Sequence, residues 1–109
     1  LGLVVELRDR YYITSNRESG FGRYDVLFEP KNPKENDAII LEFKVFNPRK
    51  ESSLEETVEA ALKQIEDRRY AHELWEKGIA REHIRSYGFA FEGKQVLIGG
   101  GRQQTKSLQ

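Results

Sequence analysis

The sequence contains no cysteine and no methionine, and only two histidines, three prolines and one tryptophan among 109 residues. Without thiols, a disulfide framework, a thiolate-bound zinc or iron–sulfur centre and a cysteine nucleophile are all excluded. His72 and His83 alone make a poor zinc site, and their polar surroundings read as solvent-facing. An excess of one charge is lacking too. The 18 Lys+Arg and 18 Asp+Glu cancel, which argues mildly against a basic nucleic-acid-binding module. No apolar run approaches the ~20 residues that span a bilayer, and no stretch has the form of a signal peptide, so no membrane partner is expected. The lack of Met, with Leu1 at the start, predicts a trimmed piece whose first element is incomplete.

What is present is a 38% hydrophobic, 33% charged chain with 11% aromatics, enough for one ordered domain with a modest core. Leu1–Leu7 is apolar and reads equally as the end of a helix or as a short strand. Strands are predicted at Tyr11–Ser15, Arg23–Glu29 (stopped by Pro30) and Ala38–Phe46, with turn chemistry over Asn16–Gly22 and a polar hairpin loop over Lys31–Asp37. Ser53, with Glu56 three residues on, has the form of a capping box. It opens a helix whose stripe is Leu54, Val58, Ala61, Leu62 and Ile65. A second helix is expected from about Arg69 to Lys77, ended by Gly78. Strands at Ile84–Phe91 and Gln95–Ile98 then flank the turn Glu92-Gly93-Lys94. This order predicts a mixed sheet of about five strands with helices packed on it, of α/β or α+β type. Residues 100–109 read as a flexible tail, and Gly99–Gly101 lacks the Lys-Ser/Thr pair and the following helix of a phosphate-binding loop.

One strand breaks its own pattern. Ile39, Leu41, Phe43 and Val45 form an apolar face, while Glu42 and Lys44 interrupt the other face of Ala38, Ile40 and Phe46. Period-two geometry puts these two charges on one side, ~6.5–7 Å apart at Cα. Buried charges cost several kcal/mol each unless paired, solvated or metal-bound. In the preceding strand Asp25 lies inside an apolar run, where Asp is depleted. A hairpin centred on residues 33–34 pairs position 25 with about position 42. Two converging carboxylates repel unless a cation intervenes, and an oxygen-only pair suits Mg²⁺ or Mn²⁺.

Asp25, a sixteen-residue gap and then Glu42-Phe43-Lys44 resembles the PD-(D/E)XK nuclease superfamily. The run Arg17-Glu18-Ser19-Gly20-Phe21-Gly22-Arg23-Tyr24-Asp25 is similar to the module of that superfamily that follows an AAA-ATPase-like domain in many bacterial and archaeal proteins. Ile40-Leu41-Glu42-Phe43-Lys44-Val45 and Tyr87-Gly88-Phe89-Ala90-Phe91 add to the likeness, which covers roughly residues 1–99. The resemblance implies a restriction-endonuclease-like core and Mg²⁺- or Mn²⁺-dependent endo- or exonucleolytic hydrolysis of phosphodiester bonds, in DNA rather than RNA. It also implies an AAA-ATPase-like domain in the full-length chain and a cytoplasmic, prokaryotic setting.

By that resemblance Asp25 and Glu42 would ligate the metal together with the backbone carbonyl of Phe43. Lys44 would orient or help deprotonate the attacking water and stabilise charge on the phosphate. Gln64 takes the place of a polar residue often presented toward the site, and helical geometry sets it ~80° from the centre of the apolar stripe. Tyr70 occupies the aromatic position sometimes paired with it and, with Arg17 and Arg23, would contact nucleic acid. A further Glu from an N-terminal helix often completes such sites; Glu6 and Glu18 are the residues present, and Glu18 is preferred. Tyr24 stands where the superfamily has Pro.

The zero total charge divides unevenly. Residues 1–50 carry 9 basic and 8 acidic groups, residues 51–82 carry 5 and 9, and residues 83–109 carry 4 and 1. Phosphate needs local rather than total positive potential. Arg8, Arg10, Arg17 and Arg23 from one end, and Arg85, Lys94, Arg102 and Lys106 from the other, are therefore expected to flank the sheet edge bearing Asp25 and Glu42. Two rivals stand beside the nuclease reading. One is a catalytically inactive nuclease-fold module for nucleic-acid or protein interaction beside an ATPase domain. The other is a structural domain that docks on a partner or forms a homo-oligomer through Trp75, itself read as core or docking surface, and the apolar start at Leu1.

Overall fold

The computed structural model describes residues 7–18 and 23–102. A single mixed sheet follows chain order: β1 (Tyr11–Glu18), β2 (Arg23–Pro30), β3 (Ala38–Val45), β4 (Ile84–Glu92) and β5 (Gln95–Arg102). β1–β2, β2–β3 and β4–β5 are antiparallel, and β3–β4 is parallel. Parallel neighbours require a long crossover. Here α1 (Leu54–Asp67) and α2 (Tyr70–Glu76) supply it. The arrangement is a restriction-endonuclease-like α+β fold, as the sequence leads one to expect.

Local chemistry sets the registers. Asn32 winds the β2–β3 loop, its side chain accepting from Lys34 N–H at 3.1 Å and its carbonyl from Glu35 N–H at 3.0 Å. The resulting hairpin places Asp25 opposite Glu42 and Arg23 opposite Lys44, the register predicted above. Ser53 caps α1 by accepting from Glu56 N–H at 3.3 Å. The expected capping box closes one residue early, because the Glu56 carboxylate takes the N–H and hydroxyl of Ser52 instead. Gly78 ends α2 with φ +92°, a conformation that favours glycine.

Two strands are longer than their sequence suggests. β1 continues through Asn16 to Glu18, because the ladder with β2 holds these turn-prone residues extended opposite Arg23–Asp25. β5 runs through Gly99–Gly101 to Arg102, with Gly99 opposite Gly88 and Gly101 opposite Ser86. Pairing overrides low β-propensity in both. Residues 1–6 and 103–109, assigned above to an incomplete first element and a tail, lie outside the described residues.

The core fills the helix-covered face: Ala38 and Ile40 of β3 and Ile84 of β4 pack with Ile65, Tyr70, Leu74 and Ile79. Along that face of β3 the first two inward positions are core and the next two are Glu42 and Lys44, so one strand leads from the core into the site. Trp75 is 63% exposed and belongs to the surface. On the opposite face Phe43 stacks between Tyr24 at 4.5 Å and Phe89 at 4.8 Å.

α1 lies close to the sheet because Gly88 and Gly99 are paired beneath it. A Cβ on Gly88 would come within 3.0 Å of Ala61 Cβ and 3.1 Å of the Val58 carbonyl, and one on Gly99 within 2.7 Å of Val58 Cγ1. Any larger side chain at position 88 must push the helix outward. Gly88→Val is therefore expected to destabilise the domain by about 1–3 kcal/mol, read as a lowered midpoint in guanidinium unfolding. An unchanged midpoint would show that α1 does not depend on this approach.

Candidate active site

Asp25 of β2 and Glu42 of β3 face one another across the hairpin, and both are completely buried. Glu42 accepts no hydrogen bond on either oxygen among the described residues, nor does Asp25 Oδ2. Buried polar atoms are almost always partnered, and an unpaired buried carboxylate is costlier still. Burial, reinforced by the facing Asp25, pushes the Glu42 carboxyl up to about 7 against the opposing pull of Arg23 and Lys44.

Asp25 is held from three parts of the chain. Tyr70, at the start of α2, donates its hydroxyl to Oδ1 at 2.9 Å, and Asn16 of β1 donates its amide to the same oxygen at 3.2 Å. Arg68, the C-cap residue of α1, brings Nη1 to 3.4 Å from Oδ2. Burial first, and then the bond to Asp25, raises the Tyr70 hydroxyl above its ordinary range, so it remains a donor.

Lys44 extends into a cleft of about 740 Å³ lined also by Arg23, Lys50, Glu51, Glu59 and Lys63. Its ammonium is bound by the buried carboxylate of Glu51, from the loop between β3 and α1. Arg23 sits opposite Lys44 in the register, and its Nε is buried without a hydrogen-bond partner among the described residues.

Thus Asp25, Glu42, Lys44, Arg23 and Tyr70 come together, Tyr70 as a buried donor to Asp25. Gln64 lies half-buried in α1, one turn before Arg68. The Phe43 carbonyl belongs to the strand residue between Glu42 and Lys44. Glu18 and Arg17 hold register positions opposite Arg23 and Tyr24, but their side chains, like Glu6 as a whole, lie outside the described residues. The sequence reading did not single out Asn16, Glu51 or Arg68. Asn16 read as turn chemistry, and nothing in the local pattern of Glu51 or Arg68 distinguishes them from a solvated loop and helix end.

The expected convergence of both basic ends is overturned in part. Arg85 and Arg102 each lie 3.1 Å from Asp37, and His83 lies 3.2 Å from it, at the start of β3 rather than at the end bearing Lys44. The antiparallel register sends Arg10, just before β1, to that same distant end, where its carbonyl accepts from Lys31. His72 pairs with Glu76 on the surface of α2.

The donor set fits a hard divalent cation. Three buried carboxylate oxygens lack hydrogen bonds, they carry like charge, and a cation between them would offset both the desolvation and the repulsion. Among the described residues no group of three or more His, Asp or Glu is arranged to hold a metal ion, so a cation at this pair would have two carboxylates as side-chain donors. That number suits an ion that keeps waters and takes substrate oxygens.

Family membership marks this fold as a nuclease-type domain. A model of the PD-(D/E)XK nuclease superfamily matches residues 1–100, and the chain belongs to that superfamily. Its members generally depend on a divalent metal. No curated protein and no solved structure matches the chain. No helix among the described residues is long and apolar enough to cross a membrane.

The raised Glu42 carboxyl has a consequence for stability without metal. Between about pH 4.5, the ordinary value, and about 7 the folded protein holds a proton that the unfolded chain releases. The native state then binds more protons, so its stability falls as pH rises across that window, by up to about 1.4 kcal/mol per pH unit. The contribution is complete below the window and lost above it. Urea titrations in EDTA should show this decline, and Glu42→Gln should flatten it. A decline of equal size in the variant would assign it to another group.

Proposed function

We propose that the domain is a metal-dependent nuclease that hydrolyses phosphodiester bonds in DNA, with Mg²⁺ or Mn²⁺ as cofactor. The observation that carries this reading is the fully buried, register-matched pair Asp25 and Glu42, with three carboxylate oxygens left without hydrogen bonds. These two carboxylates, with the Phe43 carbonyl, would hold the ion. When bound, such an ion polarises the phosphoryl oxygen and lowers the pKa of its water. Asn16 and Tyr70 fix the orientation of Asp25, leaving Oδ2 directed away from their shared hydrogen bonds. Lys44 and Arg23 line the adjoining cleft and would supply positive charge for a phosphate there.

The likeness of residues 17–25 to the AAA-ATPase-associated module supports a place beside such an ATPase domain in a longer, cytoplasmic prokaryotic protein. One observation favours the rival of an inactive binding module. Arg68 already stands 3.4 Å from Asp25 Oδ2, so a positive charge serves that oxygen without metal. Calorimetry with Mn²⁺ and plasmid cleavage separate the two. On the nuclease reading Mn²⁺ binds, cleavage stops in EDTA, and Asp25→Ala or Glu42→Ala abolishes both binding and cleavage, by at least about 100-fold in rate. DNA held equally well in EDTA and never cut would establish the inactive module instead.

A further inference from the structure

Of the three acids buried in this region, Glu51 alone has both oxygens hydrogen-bonded, whereas Asp25 has one and Glu42 neither among the described residues. Oε2 accepts from the Lys44 ammonium, while Oε1 accepts from Asn47 N–H at 2.9 Å and from the Thr57 hydroxyl at 2.8 Å. Burial alone would raise this carboxyl, but the bonds from Lys44, Asn47 and Thr57 hold it below the ordinary carboxylate range. It is therefore a fixed anion with donors already in place, poorly suited to hold a metal and well suited to hold a lysine.

Its donors come from three elements. Lys44 is near the end of β3, Asn47 begins the loop, and Thr57 lies in the first turn of α1, fully buried. The loop is itself wound on Asn47, whose carbonyl accepts from Lys50 N–H and Glu51 N–H and whose side chain accepts from Arg49 N–H. A lysine ammonium at the end of a flexible four-carbon stem loses much rotamer freedom when ordered. Here the fold orders it before any substrate arrives. Lys44 shares its strand face with Glu42, two residues before it, and its charge opposes the rise of the Glu42 carboxyl.

We propose that Glu51 is the positioning residue of this site, holding the Lys44 ammonium at the cleft as a fixed positive charge for the scissile phosphate. The inference rests on the nuclease reading above. It assigns Lys44 a task of charge stabilisation, for which a preset location matters more than proton exchange.

A double-mutant cycle on the full chain tests it, with Mg²⁺-dependent plasmid cleavage as readout. Glu51→Gln keeps an acceptor for Asn47 and Thr57 but replaces the anion at Lys44. It should lower kcat by about 10- to 100-fold with KM for DNA little changed. In a Lys44→Ala background the same substitution should have no further effect, since a positioning residue acts only through the group it positions. Equal losses in both backgrounds would mark Glu51 as a purely structural residue and overturn the proposal, as would an unchanged kcat. Should Glu51→Gln fail to melt cooperatively, Thr57→Val replaces it in the cycle, with a smaller loss that again vanishes without Lys44. If Lys44→Ala is impaired while Glu51→Gln is fully active, the role of Glu51 alone falls. If the unaltered protein does not cut, or Lys44→Ala cuts equally well, the nuclease reading itself fails and this role falls with it.

Discussion

The architecture turns on two carboxylates placed opposite each other, shielded from solvent, in the middle of a sheet. Asp25 and Glu42 are both inaccessible to solvent, and three of their four carboxylate oxygens have no hydrogen-bond donor among the described residues. Such a pair resists burial twice, through lost hydration and through mutual repulsion. The surrounding structure limits that cost unequally. Asp25 receives Tyr70, Asn16 and Arg68, whereas Glu42 receives only the more distant fields of Arg23 and Lys44 and takes up a proton near pH 7 instead. The core that offsets this cost is the adjacent packing of Ala38 and Ile40 against Ile65 and Leu74, on the same strand face as Glu42.

One helix supports both halves of the site. The start of α1 places the Thr57 hydroxyl on Glu51, and through it steadies Lys44; its C-cap residue Arg68 approaches Asp25. Both contacts require the helix to lie low on the sheet, and that height is set by Ala61 and Val58 resting on Gly88 and Gly99. The glycines of β4 and β5 are thus part of the site's construction although none of them touches it. They also explain why a glycine-rich run can be a strand: with Gly99 opposite Gly88, backbone pairing with β4 and the shelf for α1 are satisfied together.

What could be read in the sequence was whatever depends on alternation and symmetry. The hairpin register that pairs Asp25 with Glu42 follows from two strands and the loop between them. The break in the pattern of β3 at Glu42 and Lys44 is visible as two charges among Ile and Phe. Ser53 announced the start of α1 for the same local reason. The partners were hidden because they arrive by tertiary routes. Arg68 lies 43 positions from Asp25, and Tyr70 45. Asn16 looked like a turn residue until strand pairing extended β1, and Glu51 became a buried anion only once the loop folded back under α1. Arginines that seemed free for phosphate, Arg85 and Arg102, were claimed by Asp37 at the other end of β3. Charge counted along a chain does not show which end of a strand it will occupy.

That distribution changes the meaning of the zero net charge. Around the site the charges are matched one to one: Asp25 with Arg68, and Glu51 with Lys44. Glu42 is the exception, an acid whose only direct neighbour across the hairpin is another acid. A proton meets that imbalance near neutral pH, and on the proposed reading a divalent cation replaces the proton. Such an exchange would bring in two positive charges where one proton left, a net gain of one beside the carboxylate pair. Arg23, Lys44, Lys50 and Lys63 line the neighbouring cleft, where Glu51, Glu56 and Glu59 offset much of their charge, so on that reading the metal's added charge would tip the local balance toward an anion. A phosphate diester is such an anion. On the proposed reading, attraction to nucleic acid need not be written into the total charge, because a bound metal would supply positive charge locally.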